Sequence, residues 1–251
     1  MTTLQKIWMM MAAAGLFGVS IVEAQQEFLD VNFSNDYQLG PVDGQGGGVS
    51  GGAWTVSGPT YEVVASPDSV SGQVLLSSRE GQGMAQVPLI KPLQIGSPRI
   101  YFAVDIWRSG PNSQGYWTLV AAPAGTNTGI GIQVPKGEAP VQIFTASEYA
   151  VVPTEFTVGY QSWHRFEIEA DGVLKTCNVY VQVEGDAERK LIAKEVPWTG
   201  KNSAVKLFRL SQPSGKSESK MYTNNIRVLG AVEFPYARDL NVDLAARIPQ
   251  N

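Results

Sequence analysis

Ile100-Tyr101-Phe102-Ala103-Val104-Asp105-Ile106-Trp107 is the stretch whose reading decides the fold. Ile100, Phe102, Val104 and Ile106 make one apolar set, while Tyr101, Ala103, Asp105 and Trp107 make a mixed one. Successive side chains of a strand point to opposite faces, so the first set belongs in a core and the second on an outward face. The stretch Trp163-His164-Arg165-Phe166-Glu167-Ile168-Glu169-Ala170 sorts the same way. His164, Phe166 and Ile168 turn inward, and Arg165, Glu167 and Glu169 turn outward. Asp171-Gly172 then supplies residues that favour a hairpin turn. In the partner strand from Leu174, Cys177, Val179 and Val181 face in, and Tyr180 and Gln182 face out.

Working outward, a Gly-rich loop at 44–52 is followed by strand patterns near 54–56, 61–65, 72–77, 84–88 and 99–107. Others fall near 116–121, 129–134, 141–146, 156–159, 163–170, 174–183, 190–196, 205–211 and 219–229. Turn residues separate them, and no long segment places apolar residues at helical spacing. The chain is therefore all-β, with two packed antiparallel sheets. The tail 231–251 changes character: after Pro235, the residues Leu240, Val242, Leu244 and Ala245 hint at a short helix.

At the N-terminus, Lys6 precedes an apolar run from Ile7 to Val22 that ends in Val22-Glu23-Ala24. This is the pattern of a secretory signal peptide over residues 1–24, with cleavage before Gln25. The run is shorter than a membrane span of about 20 residues with anchoring flanks. No later stretch is apolar enough to cross a bilayer. The expected product is a single domain over residues 25–230 with its tail, secreted or periplasmic.

The formal net charge is −4. Removing Lys6 and Glu23 leaves it unchanged, and an acidic chain without a basic cluster argues against a nucleic-acid or anionic-membrane surface. The sole cysteine, Cys177, excludes an internal disulfide. Its place in a strand pattern predicts a buried, inert thiol.

The run Trp163 to Gly172 followed by Val179-Tyr180-Val181 resembles the laminin-G-like branch of the concanavalin A-like jelly rolls, of the bacterial exported type. Phe33 with Gly40 and the Gly-rich stretch up to Trp54 resemble the opening strand and loop of such proteins. Tyr222-Thr223-Asn224-Asn225-Ile226-Arg227-Val228 resembles their closing strand. The resemblance covers roughly Glu27 to Leu229 and implies a two-sheet antiparallel jelly-roll sandwich. Its relatives include lectins, carbohydrate-binding modules, glycoside hydrolases, polysaccharide lyases and adhesive domains, among which a shared fold does not choose. Asn224 stands where those relatives usually carry Asp, a departure that weakens the case for a cation at the closing strand.

The outward face predicts a ligand surface of Tyr101, Asp105, Trp107, Tyr116, Arg165, Glu167 and Tyr180, beside the small residues Ala103, Gly129 and Gly131. Aromatic rings stack on the apolar face of a pyranose, and carboxylates and arginine bond its hydroxyls. A solvated sheet face carrying amphipathic residues explains the same set. Glu167, Glu169 and Asp171 alternate as in the acidic strand of jelly-roll glycosidases, but Asp171 belongs to the turn and the spacing across a sugar is not met. His164 is the single histidine, its strand phase points it into the core, and a lone His with no second Cys argues against zinc. Calcium is the one metal considered, with Asp30, Asn32, Asn224 and Asn225 meeting where the first and last strands pair; Asn-rich turns account for these residues without it. The expected function is a non-catalytic module that binds extracellular polysaccharide or another surface partner. Two alternatives stand beside it: a polysaccharide lyase or glycoside hydrolase, and a structural envelope or matrix protein.

Overall fold

The structure is a computed structural model that describes residues 26–58, 61–69, 72–77, 83–94, 99–121, 129–144, 151–198, 204–212 and 220–230. The expected signal peptide and the tail lie outside the described residues. The elements begin with β1 (Gln26–Val31), a one-turn helix α1 (Phe33–Asp36), β2 (Gly40–Pro41), β3 (Thr55–Ser57), β4 (Tyr61–Ala65), β5 (Gln73–Ser77) and β6 (Gly83–Gln94). Then come β7 (Ile100–Arg108), β8 (Gly115–Val120), β9 (Gly131–Val134), β10 (Gln142–Phe144), β11 (Val151–Pro153) and β12 (Trp163–Asp171). The last four are β13 (Thr176–Val183), β14 (Lys190–Pro197), β15 (Ala204–Gln212) and β16 (Met221–Gly230).

All strand pairs are antiparallel and fall into two sheets, as the sequence predicts. The nine-stranded sheet runs β14-β13-β12-β7-β16-β5-β4-β2, with β1 also paired to β16; the seven-stranded sheet runs β11-β10-β9-β8-β15-β6-β3. This is the two-sheet antiparallel jelly-roll sandwich. Ile100, Phe102, Val104 and Ile106 are buried in the main core with Phe166, Ile168, Cys177, Val179 and Val181. From the other sheet come Trp117, Leu119, Phe208 and Leu210. Phe102 meets Phe208 at 5.9 Å between ring centroids, and Trp54 meets the same ring edge-on at 6.1 Å. The parity rule for β7, β12 and β13 therefore holds.

Three local expectations change. The segment 156–159 is not a strand. Its neighbourhood is tied down instead by Val141 N donating to Phe156 O, and by the Thr154 hydroxyl donating to Val141 O. The sheet takes Val151–Pro153 as its edge strand in place of that segment. The opening strand ends before Phe33: Asn32 accepts a bond from Ser34 N and caps α1, which drops the buried Phe33 ring into the core. The hairpin after β12 is wider than a two-residue turn. Pairing closes at Asp171↔Thr176, and Asp171 Oδ1 accepts from both Val173 N and Leu174 N.

Candidate functional site

The outer face of the nine-stranded sheet is laid out in transverse rows, because residues in register on adjacent strands stand side by side about 4.8 Å apart. One row follows the register Glu62↔Leu76, Leu76↔Tyr222, Tyr222↔Trp107 and Trp107↔Trp163. It ends at Glu184, whose N–H donates to Trp163 O. Three aromatic side chains on three adjacent strands thus form a line between two glutamates. Trp107 and Tyr222 meet edge-on at 5.0 Å, and Trp163 Nε1 donates to Asp68 Oδ2. Trp107 and Trp163 are half-buried and pack with Val64, Val74, Leu76 and Tyr222 in a small cluster separate from the main core.

The next rows are polar. Asn224, Asp105, Arg165 and Gln182 stand in register, and beyond them Arg227, Ala103, Glu167 and Tyr180. Arg165 Nε lies 3.6 Å from Asp105 and 3.9 Å from Glu167. Arg189, from the turn before β14, donates to Glu167 at 2.8 Å and Glu169 at 2.7 Å while its guanidinium stacks on the Tyr180 ring at 3.8 Å. Burial alone would lower the Arg189 pKa; the Glu169 and Glu167 carboxylates outweigh it and raise it. Tyr101 and Glu167 are each only 2% exposed. Burial, then the Glu167 charge, pushes the Tyr101 phenol well above its ordinary value.

Six of the seven expected ligand residues therefore share one face: Tyr101, Asp105, Trp107, Arg165, Glu167 and Tyr180. Tyr116 is corrected. It belongs to β8 in the opposite sheet, and because Trp117 and Leu119 fill the core, Tyr116 points out of the far side of the sandwich, against Phe144. Gly131 goes with it, and its missing side chain serves packing: a Cβ there would come within 2.2 Å of Trp117 O. The centre of this face is closed rather than open to solvent, since Tyr101, Asp105, Arg165 and Glu167 are all buried. Trp163, Tyr222 and Arg189 are the additions. The parity that turns Arg165 outward also turns Trp163 outward, and Asn224 predicts Tyr222 in the same way. Arg189 lies in a turn, where no period marks it.

The catalytic alternatives find little support in this geometry. Glu167 and Glu169 are bound by one guanidinium, so neither is presented to a sugar as a free acid or nucleophile. His164 is a core imidazole: Nε2 accepts from Gly159 N at 3.2 Å, and Nδ1 lies 3.0 Å from Ser162 O, an arrangement met by the neutral ring protonated at Nδ1. Burial lowers its pKa. Arg108 braces the same segment, donating to Gly159 O, Pro135 O and Val158 O. Burial pushes the Cys177 thiol up to about 12.

The four residues considered for calcium do meet at the junction of the first and last strands. Their oxygens already serve the chain itself. Asn32 Oδ1 accepts from Ser34 N, Asn224 Oδ1 from Phe33 N, and Asn225 Oδ1 from Asn32 Nδ2, while Asp30 lies 3.8 Å from Arg227. Asn225 adopts a left-handed φ of 46° at a bulge and donates to Asp105. A set so committed to N–H donors does not fit a cation wanting six or more oxygens.

No family model matches the sequence, and comparison with curated proteins finds no match. Solved structures do share the fold. The catalytic domain of a glycoside hydrolase family 131 protein from Coprinopsis cinerea is similar at TM-score 0.54 and 14% identity, over 84% of this chain and 95% of that one. The lectin UEA-II, solved with galactose, is similar at TM-score 0.54 and 11% identity, over 84% of this chain and 99% of that one. A carbohydrate esterase from Shiga toxin-encoding bacteriophage phi24B is similar at TM-score 0.52 and 11% identity, over 83% of this chain and 100% of that one. At these identities the likeness is one of fold.

Proposed function

We propose that this chain is an exported, non-catalytic module that binds extracellular polysaccharide along the Tyr222–Trp107–Trp163 row. The observation that carries the reading is the register of these three aromatic residues on adjacent strands, with both indoles half-buried at the outer face. The two half-buried indoles, backed by the buried Tyr222 ring, suit the apolar faces of sugar units, and Glu62 and Glu184 at the ends offer acceptors for hydroxyls. The polar rows behind hold the platform in place: Asp105, Arg165, Glu167 and Arg189 fix one another rather than facing solvent. The lectin, hydrolase and esterase of similar fold are named for carbohydrate chemistry, which supports this reading.

Affinity electrophoresis through gels containing neutral and acidic polysaccharides tests it. The full chain should be retarded by at least one polysaccharide, and Trp107→Ala and Trp163→Ala should each abolish the retardation while keeping the native circular dichroism. No retardation by any polysaccharide, or retardation that survives both substitutions, overturns the proposal. Export has its own check, since the mature protein should begin at Gln25 when its N-terminus is sequenced.

One observation favours a second reading, a packing module of an envelope or matrix: the centre of the same face is closed by ion pairs. Cross-linking in whole envelopes would favour it if partners attach through the face and polysaccharide does not bind.

A further inference from the structure

The turn between β12 and β13 breaks a local rule. Turns favour Gly, Asn, Asp, Ser and Pro, whose backbones or side chains satisfy a tight bend. This one presents two adjacent aliphatic residues, Val173 at 69% and Leu174 at 71% exposure. They are held there: Asp171 Oδ1 accepts from both of their N–H groups, Lys175 takes a left-handed φ of 55°, and Trp198 N donates to Lys175 O. A rigid turn that pushes two bulky apolar side chains into water gains nothing for folding. Such a departure points to an interaction.

The surroundings indicate the kind of partner. Lys175 follows the pair and is exposed, as are Lys91 on β6 and Lys206 on β15; a Cβ on Gly230 would lie 3.0 Å from Leu93, which pairs with Val205, so both strands reach this end of the sandwich. Of the acids nearby, Glu27 pairs with Arg227 and exposed Glu195 lies 3.8 Å from its neighbour Lys194, which leaves Asp171, bonded to the turn, against Lys175, Lys91 and Lys206. The net charge of the chain is −4, yet this end is locally basic. The register places Ala170, Ile100, Gly230 and Gln26 side by side. The first described residue, Gln26, therefore lies at this end. It lies three strand spacings from β12, about 14 Å.

We propose that this end of the sandwich docks on an anionic lipid bilayer, with Val173 and Leu174 entering the interface and lysines meeting the headgroups. Aliphatic tips gain by leaving water, and nearby lysines gain from anionic lipid. The turn is distinct from the aromatic row, which lies at the opposite end of β12, so a glycan and a bilayer can be held together.

The test places an environment-sensitive NBD label on the full chain at Leu174→Cys, and as a control at Asp186→Cys on the exposed β13–β14 turn at the far end. The buried Cys177 stays unlabelled under native conditions. With vesicles of phosphatidylcholine and phosphatidylglycerol, the label at 174 should shift to the blue and gain intensity, and the label at 186 should not. In sedimentation with the same vesicles, Val173→Asp with Leu174→Asp should lower the bound fraction about tenfold, the loss expected when one or two aliphatic side chains no longer enter the interface. No response at 174, or equal responses at 174 and 186, overturns the proposal. A blue shift at 174 that depends on protein concentration without vesicles assigns the turn to a second copy of the chain and also overturns it.

Discussion

Trp107 and Trp163 stand opposite each other in the antiparallel register of β7 and β12, and Tyr222 stands opposite Trp107 on its other side. The two indoles are half-buried and the Tyr222 ring is buried edge-on against Trp107, so the proposed surface rests on the indole pair backed by Tyr222. Trp107, in the middle, is therefore the residue whose loss divides the row. Trp107→Ala should cost at least about tenfold in polysaccharide affinity, as for a lost stacking anchor, and about 2 kcal/mol of stability because the indole is only half-buried. Affinity electrophoresis and urea unfolding read the two effects separately. A variant that unfolds easily but binds as before would remove Trp107 from the site.

Among the described residues, Arg189 is the cation that bridges Glu167 and Glu169. Removing it leaves two buried carboxylates without that partner, and breaking a buried pair typically costs about 3–5 kcal/mol. Arg189→Met should fall in that range by urea unfolding. The triple variant Arg189→Met, Glu167→Gln, Glu169→Gln should recover most of the loss, because it removes the charges together. If the triple variant is no more stable than the single one, the carboxylates are not the source of the cost.

Strand phase was legible in residues 100–107 because each position there alternates without interruption, and a one-residue slip would have put Val104 in solvent. The same logic grouped Arg165 and Glu167 with Tyr101 and Asp105. Parity says which face a residue takes within its strand, but not which sheet the strand joins. Parity alone therefore turns Tyr116 outward but does not tell that its outward side is the far side of the sandwich. Nor does parity give depth: Tyr101 and Glu167 face outward and are still buried, because Arg165 and Arg189 fold over the sheet from neighbouring positions. The segment 156–159 misled because Phe156 and Val158 alternate as a strand would, while their packing against His164 and Arg108 comes from a loop.

His164 links the core to pH. Its folded pKa lies below the ordinary value of about 6.5 because burial disfavours the imidazolium. As pH falls through about 6.5 the unfolded chain takes up a proton that the folded chain refuses, so this contribution to stability is full above that pH and is lost below it. The loss levels off once the folded value is passed, and its slope cannot exceed about 1.4 kcal/mol per pH unit. Urea unfolding at about pH 7.5 and about pH 5.5 should show wild type losing stability on acidification and His164→Phe losing less. Equal losses in both proteins would mean that another group titrates.

Cys177 should be silent in the native protein. Its thiol is buried in the core beside Val179 and raised to about 12, so almost none is thiolate at neutral pH. A colourimetric disulfide reagent at about pH 8 should release no colour from the folded chain and one equivalent in denaturant. Colour from the native protein at a rate independent of unfolding would place the thiol at the surface.

Asn225 joins the first strand region to the centre of the outer face. Its Oδ1 accepts from Asn32 and its Nδ2 donates to Asp105, from a left-handed backbone at the bulge in β16. Asn tolerates that conformation better than most residues, so Asn225→Ala loses two side-chain bonds and adds backbone strain. A cost of about 2–3 kcal/mol is expected, with Asn225→Gly recovering the part due to strain. Because the amides and Arg227 already occupy the oxygens of Asp30, Asn32, Asn224 and Asn225, millimolar calcium or EDTA should leave the melting temperature of wild type unchanged. A rise with calcium that disappears in Asn225→Ala would show that the amide network opens to admit the ion, and would reverse the assignment of these residues as a lock made by hydrogen bonds.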